Sequence, residues 1–165
     1  LCIEYGTLLN YGEPIYILSG DKDFVQLQVY SNVQQFDPVR KKQIKTNDPY
    51  KHLRAHILKG DSGDGIPNIM SPDECFIKGE RQKSMPTKRV DYLTTVADLS
   101  KVLPEDQFRN FKRNEQLIDL HMTPAEITAA VLAQYNVPKE RNMIVFRQYL
   151  RDHNLKSLEE NISEF

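Results

Sequence analysis

The sequence predicts a short α/β portion followed by a mainly α-helical region, on three observations. Pro14-Ile15-Tyr16-Ile17-Leu18 is a compact β-branched and aromatic run of buried-strand type, and the residues before it follow helical spacing. Beyond Asp48 the pattern changes to a succession of capped, amphipathic segments. Neither internal repeats nor low-complexity stretches interrupt the 165 residues.

Leu1, Cys2, Tyr5, Leu8 and Leu9 share one helical face up to Gly12, which is placed as a C-terminal cap. A chain opening inside such an element is expected to be a fragment of a longer protein. A helix feeding a buried strand is the signature of α/β architecture, whose ligands bind beyond the carboxyl ends of the strands. Ser19-Gly20-Asp21-Lys22-Asp23 falls at that point. Phe24 to Leu27 reads as a helical turn. Val33 to Phe36 and Gln43 to Lys45, separated by Asp37-Pro38, read as a hairpin at the sheet edge.

Asp48 is a good N-cap and Pro49 suits the first helical position. Leu53 and Ile57 share a face, and Gly60 is placed to stop the helix. The acidic, glycine-rich turn Asp61-Ser62-Gly63-Asp64-Gly65 follows. Further helices are expected at about 87–98, 104–118, 124–135, 139–152 and 157–163. The clearest start is the capping box Thr123-Pro124-Ala125-Glu126, and Pro138 is expected to end that helix.

Composition sets the outer limits. With 39% hydrophobic and 27% charged residues the chain is globular in type, and no apolar run approaches the roughly 20 residues a bilayer span needs. Cys2 and Cys75 have no close spacing to each other or to a histidine pair, which argues against a disulfide framework and a zinc site. The net charge of −1 conceals opposed patches. Lys78 to Arg89 carries five positive residues against one acid, and Arg40-Lys41-Lys42 and Arg109 with Lys112 and Arg113 add to it. Such patches can hold a phosphate backbone without reading sequence, or be ordinary solvated surface. His52, His56, His121 and His153 are assigned to surface or packing, and Phe108, Phe111, Phe146 and Tyr149 to the core.

Asp21 and Asp23 flank one residue just after a strand, and Asp61 and Asp64 stand three apart on a tight loop, so each pair can converge. Two carboxylates about 4 Å apart repel by roughly 4 kcal/mol at an effective dielectric near 20. A divalent cation removes that cost, and all-oxygen ligands suit Mg²⁺ or Mn²⁺. Two such ions can activate water and stabilise the leaving oxygen of a phosphodiester. Taken singly, either acidic motif is as well explained by a solvated turn. Their joint occurrence is what favours phosphoryl hydrolysis.

Ile17-Leu18-Ser19-Gly20-Asp21-Lys22-Asp23-Phe24-Val25-Gln26-Leu27, followed by Ile57-Leu58-Lys59-Gly60-Asp61-Ser62-Gly63-Asp64, resembles the flap-endonuclease and 5′-nuclease family. Gly79-Glu80-Arg81, Ser84-Met85, Leu117-Ile118-Asp119 and the ending Ser163-Glu164-Phe165 resemble its ribonuclease H branch of T-even phages. The resemblance implies a magnesium-dependent 5′-to-3′ exonuclease and flap endonuclease that removes RNA primers and adjacent DNA in lagging-strand replication. Residues 1–47 would then be the C-terminal part of the α/β nuclease core with its acidic metal motif. Residues 48–165 would be a helical DNA-binding region with a helix-three-turn-helix motif.

By the same resemblance Asp21, Asp23, Asp61 and Asp64 are catalytic and hold two Mg²⁺ ions, or Mn²⁺. Asp23 and Asp64 serve the second ion, while Asp21 and Asp61 bridge or hold ordered water. Lys59, Gly60, Ser62, Gly63, Gly65, Arg81, Lys83, Lys88 and Arg89 contact DNA, partly through backbone N–H groups at helix starts and turns. The implied partners are DNA and RNA·DNA duplexes with 5′ ends, flaps or forks, together with replication proteins such as single-strand-DNA-binding protein or a sliding clamp. The implied setting is the cytoplasm of a phage-infected bacterial host, with no membrane. The family's other metal ligands lie upstream, in a Glu-Ala-Asp-Asp stretch expected shortly before Leu1, so this chain alone is expected to be inactive. Cellular members carry Gly-x-Gly after the second acidic turn, whereas Ile66-Pro67-Asn68-Ile69-Met70 has no glycine, so a monovalent-ion site there is not carried over. A non-catalytic DNA-binding module is the alternative. An aspartyl-nucleophile phosphatase ranks below both, because Phe24 and Val25 follow the second acid.

Overall fold

The computed structural model describes residues 13–135 and 142–162. The helix expected over residues 1–12, the stop at Pro138 and the ending 163–165 lie outside them. The chain divides into two compact units between Tyr135 and Asn136.

The first unit opens with a small mixed sheet in the order β1-β2-β3. Strand β1, Ile15–Leu18, runs parallel to β2, Val33–Asp37, in the register Ile15↔Val33 to Leu18↔Phe36. A parallel pair needs a crossover, which a 3₁₀ helix over Lys22–Val29 supplies. Strand β3, Lys42–Ile44, returns antiparallel to β2 as the edge hairpin that Asp37-Pro38 signalled. Asp37 makes that turn itself, because its carboxylate accepts from the N–H groups of Val39 and Arg40, each at 2.9 Å. Ile17, Leu27 and Val33 form a small core under the sheet, with Phe24, Tyr30 and Leu120 packed against it.

Helix α1 spans Pro49–Lys59. Asp48 caps it by accepting from the Lys51 N–H at 2.8 Å, and Pro49 occupies its first turn, where a missing N–H costs nothing. Gly60 ends it at φ 66°, ψ −173°. Helix α2, Thr87–Thr95, is three residues shorter than its sequence pattern. Helix α3, Glu105–Ile118, and helix α4, Ala125–Tyr135, follow, with short 3₁₀ turns at Leu99–Lys101 and Leu120–Met122 that periodicity did not signal. Ile57, Leu58, Ile69, Val90, Leu93, Leu99, Phe111 and Ile118 build the larger core among α1, α2 and α3. No helix among the described residues is long and apolar enough to cross a membrane.

The second unit contains α5, Met143–Asp152, and α6, Lys156–Glu160. Asn142 caps α5 through the N–H groups of Ile144 and Val145, and Leu150 is buried. Phe111 is core as expected and Phe108 packs beside it, whereas Tyr149 is exposed and stacks on His153 at 4.1 Å.

Candidate metal centre

The two acidic motifs are carried by rigid anchors. Gln35, at 1% exposure, donates from Nε2 to the carbonyls of Ser19 at 2.9 Å and Asp21 at 2.6 Å, fixing the loop that leaves β1. Gly20 sits against Asp37 so closely that a Cβ there would lie 2.8 Å from a carboxylate oxygen. Asp21 then caps the 3₁₀ helix by accepting from the Asp23 N–H at 3.0 Å. Gln26 locks that helix to the end of α3, donating to the Ile118 carbonyl and accepting from the Leu120 N–H.

The second motif closes on itself. Asp61 and Ile66 exchange backbone hydrogen bonds of 2.8 and 2.7 Å around the turn Ser62 to Gly65, and the Gly63 N–H donates to the Asp61 carboxylate. Buried asparagines on α3 hold the turn from below. Asn114 donates to the carbonyls of Ile57 and Pro67, both at 2.9 Å, and Asn110 to those of Ile69 and Ser71. The Ile57 and Leu58 carbonyls in the last turn of α1 are thus satisfied by Asn114 and the Ile69 N–H rather than by the helix.

These anchors bring Asp23 and Asp61 together around His56. Its Nδ1 lies 3.3 Å from Asp23 Oδ1 and its Nε2 lies 3.1 Å from Asp61 Oδ2. One donor atom from each of the three residues lies within 4.8 Å of the others, an arrangement that can hold a metal ion. His56 is packed, as its assignment to surface or packing allowed, with 9% of its side chain exposed, but its contact with both acids was not foreseen. It was missed because the helical face a residue occupies says which neighbours on its own helix it meets, not that a loop 33 residues earlier will fold against it. The available signal was its place one turn before Gly60.

Burial pushes the Asp23 carboxyl above the ordinary carboxylate range. The His56 charge opposes this, and the charges of Asp21, Asp61 and Asp64 add to the rise. Burial also pushes Asp61 up, but hydrogen bonds from Lys22, the Gly63 N–H and His56 outweigh it and hold that carboxyl below its usual value. Lys22 Nζ, 2.7 Å from Asp61 Oδ2, is raised chiefly by that hydrogen bond. Asp64 and Asp21 are exposed at the rim, near enough for Asp64 to act on both Lys22 and Asp23.

A buried carboxylate oxygen is left over. Asp23 Oδ1 has no hydrogen-bond partner, which is costly unless a cation meets it. The donor set therefore fits a divalent ion.

The residues expected to contact DNA and the remaining basic residues divide into two groups. Lys59, Ser62, Gly63, Gly65, Arg81, Lys83 and Lys88 are exposed. Arg89 instead turns inward, donating to Gln107 Oε1 at 2.6 Å. Arg109 and Arg113 both bind Asp73, and Lys112 pairs with Glu115. A cleft of about 410 Å³ between α1 and α3, lined by Tyr50, Arg54 and Phe108, includes none of the acidic cluster.

Comparison with known proteins now bears on the same residues. The family described as T4 RNase H, C terminal, matches residues 48–165. The chain belongs to this family. Over 160 residues it is 32% identical to the ribonuclease H of Enterobacteria phage T4, a match covering 93% of this chain and 52% of that protein. The chain thus spans about half the length of that curated relative. Two residues of the Asp23, His56 and Asp61 cluster, His56 and Asp61, lie within the segment that the family matches.

Proposed function

We propose that the chain is the metal- and DNA-binding half of a divalent-metal-dependent 5′-to-3′ exonuclease and flap endonuclease of ribonuclease H type, acting on RNA primers and adjacent DNA. The observation that carries this reading is the convergence of acids about 40 residues apart on His56. Asp21, Asp23, Asp61 and Asp64 hold the ions, with Asp23 the most direct because its Oδ1 is unmet. When bound, such ions activate water and stabilise the leaving oxygen of a phosphodiester.

The chain's own residues position the substrate. The turn Asp61 to Ile66, after α1 and ahead of the non-helical stretch that leads to α2, is the centre of the proposed helix-three-turn-helix element, presenting the exposed Ser62, Gly63 and Gly65 beside Lys59. Arg81 and Lys83 in the loop before α2, and Lys88 in its first turn, extend the cationic track. Lys22 leaves its stem in solvent with its ammonium on Asp61, placed to hand that carboxylate to a metal and to meet a phosphate. Arg89, Arg109 and Arg113 serve structure, since their guanidinium groups are already engaged. Replication proteins such as single-strand-DNA-binding protein or a sliding clamp are the proposed protein partners.

The test measures binding of a 5′-flap DNA duplex with and without Mg²⁺ or Mn²⁺, for the chain and its Asp23→Asn and Asp64→Asn variants. Divalent ions are expected to tighten binding in the parent and in neither variant, with affinity falling steeply as salt rises. Cleavage is expected once the remaining half of the nuclease is supplied. Flap binding indifferent to divalent ions and to both substitutions overturns the reading in favour of a metal-independent DNA-binding module.

A further inference from the structure

The all-carboxylate ligand set leaves out a nitrogen donor that the fold places at its centre. His56 lies in the last turn of α1, with 9% of its side chain exposed, between Asp23 of one motif and Asp61 of the other. Its two ring nitrogens meet their carboxylates differently. Nε2 and Asp61 Oδ2, 3.1 Å apart, satisfy hydrogen-bond geometry. Nδ1 and Asp23 Oδ1 are 3.3 Å apart, yet that oxygen accepts no hydrogen bond. A ring proton on Nε2, donating to Asp61, would leave the Nδ1 lone pair beside the Asp23 oxygen that accepts no hydrogen bond.

Two electron-rich atoms held this way form the edge of a cation site. Ligands about 2.1 Å from one ion at a right angle lie roughly 3.0 Å apart, close to the observed separation. In that arrangement neither atom points straight at the other, consistent with the missing hydrogen bond. The opposite edge supplies the support that metal-bound imidazoles commonly have, a carboxylate that fixes the tautomer and ring orientation. Asp61 is in turn held by Lys22 and the Gly63 N–H, so the ring is braced from both motifs.

We infer that His56 is a metal ligand through Nδ1, paired with Asp23 Oδ1 and oriented by Asp61, and that this nitrogen tilts the site from Mg²⁺ toward Mn²⁺. Mg²⁺ strongly prefers oxygen, whereas imidazole suits transition metals, so one nitrogen in the set changes metal preference rather than merely affinity. The inference deepens the metal-dependent reading and rests on it.

The experiment is pulsed electron paramagnetic resonance of Mn²⁺ added to the chain in a buffer free of nitrogen ligands, with calorimetric titration of Mn²⁺ and Mg²⁺. A directly bound ¹⁴N modulation is expected, changing to the ¹⁵N pattern on labelling histidine. Both should vanish in His56→Gln, and the Mn²⁺-over-Mg²⁺ affinity ratio should fall by about tenfold or more. The wild-type spectrum needs no variant, and circular dichroism verifies that His56→Gln folds. Mn²⁺ bound without nitrogen modulation, or with modulation that survives in folded His56→Gln, overturns the role of His56 while leaving the metal reading intact. Failure of either ion to bind sinks both.

Discussion

Replacing Gly60 by alanine tests whether the end of α1 sets the position of the metal centre. Gly60 adopts φ 66°, ψ −173°, a combination essentially reserved for glycine. A Cβ there would lie 2.3 Å from the Ile66 carbonyl oxygen and 2.6 Å from the Pro67 carbonyl carbon. Both are backbone atoms, so no side-chain rotation relieves the overlap. The backbone strain alone is worth about 1–3 kcal/mol. Relief requires opening the Asp61–Ile66 pair, whose two hydrogen bonds contribute roughly 1 kcal/mol each. The sum, about 3–5 kcal/mol, is a large part of the roughly 5–15 kcal/mol typical of a domain. Urea unfolding should show the midpoint falling with little change in slope, and Mn²⁺ affinity should fall with it as Asp61 leaves Lys22 and His56. A loss below about 1 kcal/mol with unchanged Mn²⁺ affinity would refute the argument.

Two further perturbations probe the supports. Asn114→Ala leaves the Ile57 carbonyl buried without a donor, whereas Pro67 keeps the Arg113 guanidinium at 3.1 Å. One orphaned acceptor plus its lost bond predicts about 2–4 kcal/mol of destabilisation by urea unfolding. His52 is held below its ordinary pKa of 6.5, first by burial and then by the nearby charges of His56, Lys59 and Lys22. Between its folded value and about 6.5 the unfolded chain binds the extra proton, so this contribution is complete above that range and lost as pH falls through it. Thermal unfolding from pH 7.5 to pH 5 should show His52→Gln losing less stability than the parent on acidification. Parallel pH profiles would count against a buried role for His52.

Local signals were enough for the elements flanking the centre. Ile15–Leu18, the hairpin across Asp37-Pro38, and α1 between Asp48-Pro49 and Gly60 all follow from caps, turns and periodicity within a few residues. Helix ends were less legible. Helix α2 stops at Thr95 and the Leu99–Lys101 turn follows, because tertiary packing of Leu99 into the core of α1 to α3 overrides the periodic pattern. The charge of Arg109 and Arg113 was visible in sequence, but not that Asp73, 36 and 40 residues away, would claim both.

The same division runs through the metal centre. The sequence by itself determined that acids stand after a strand and in a turn after a capped helix, since each placement depends on neighbours in the chain. Only the tertiary structure decided which of them meet. Gln26 and Gln35 fix the first motif, Asn110 and Asn114 fix the second, and the backbone groups of other elements that they bind lie from 14 to 94 residues away. That closure sets His56 against Asp23 and leaves one carboxylate oxygen unmet. Neither motif contains that outcome, because the separation of two loops is fixed by packing rather than by spacing along the chain.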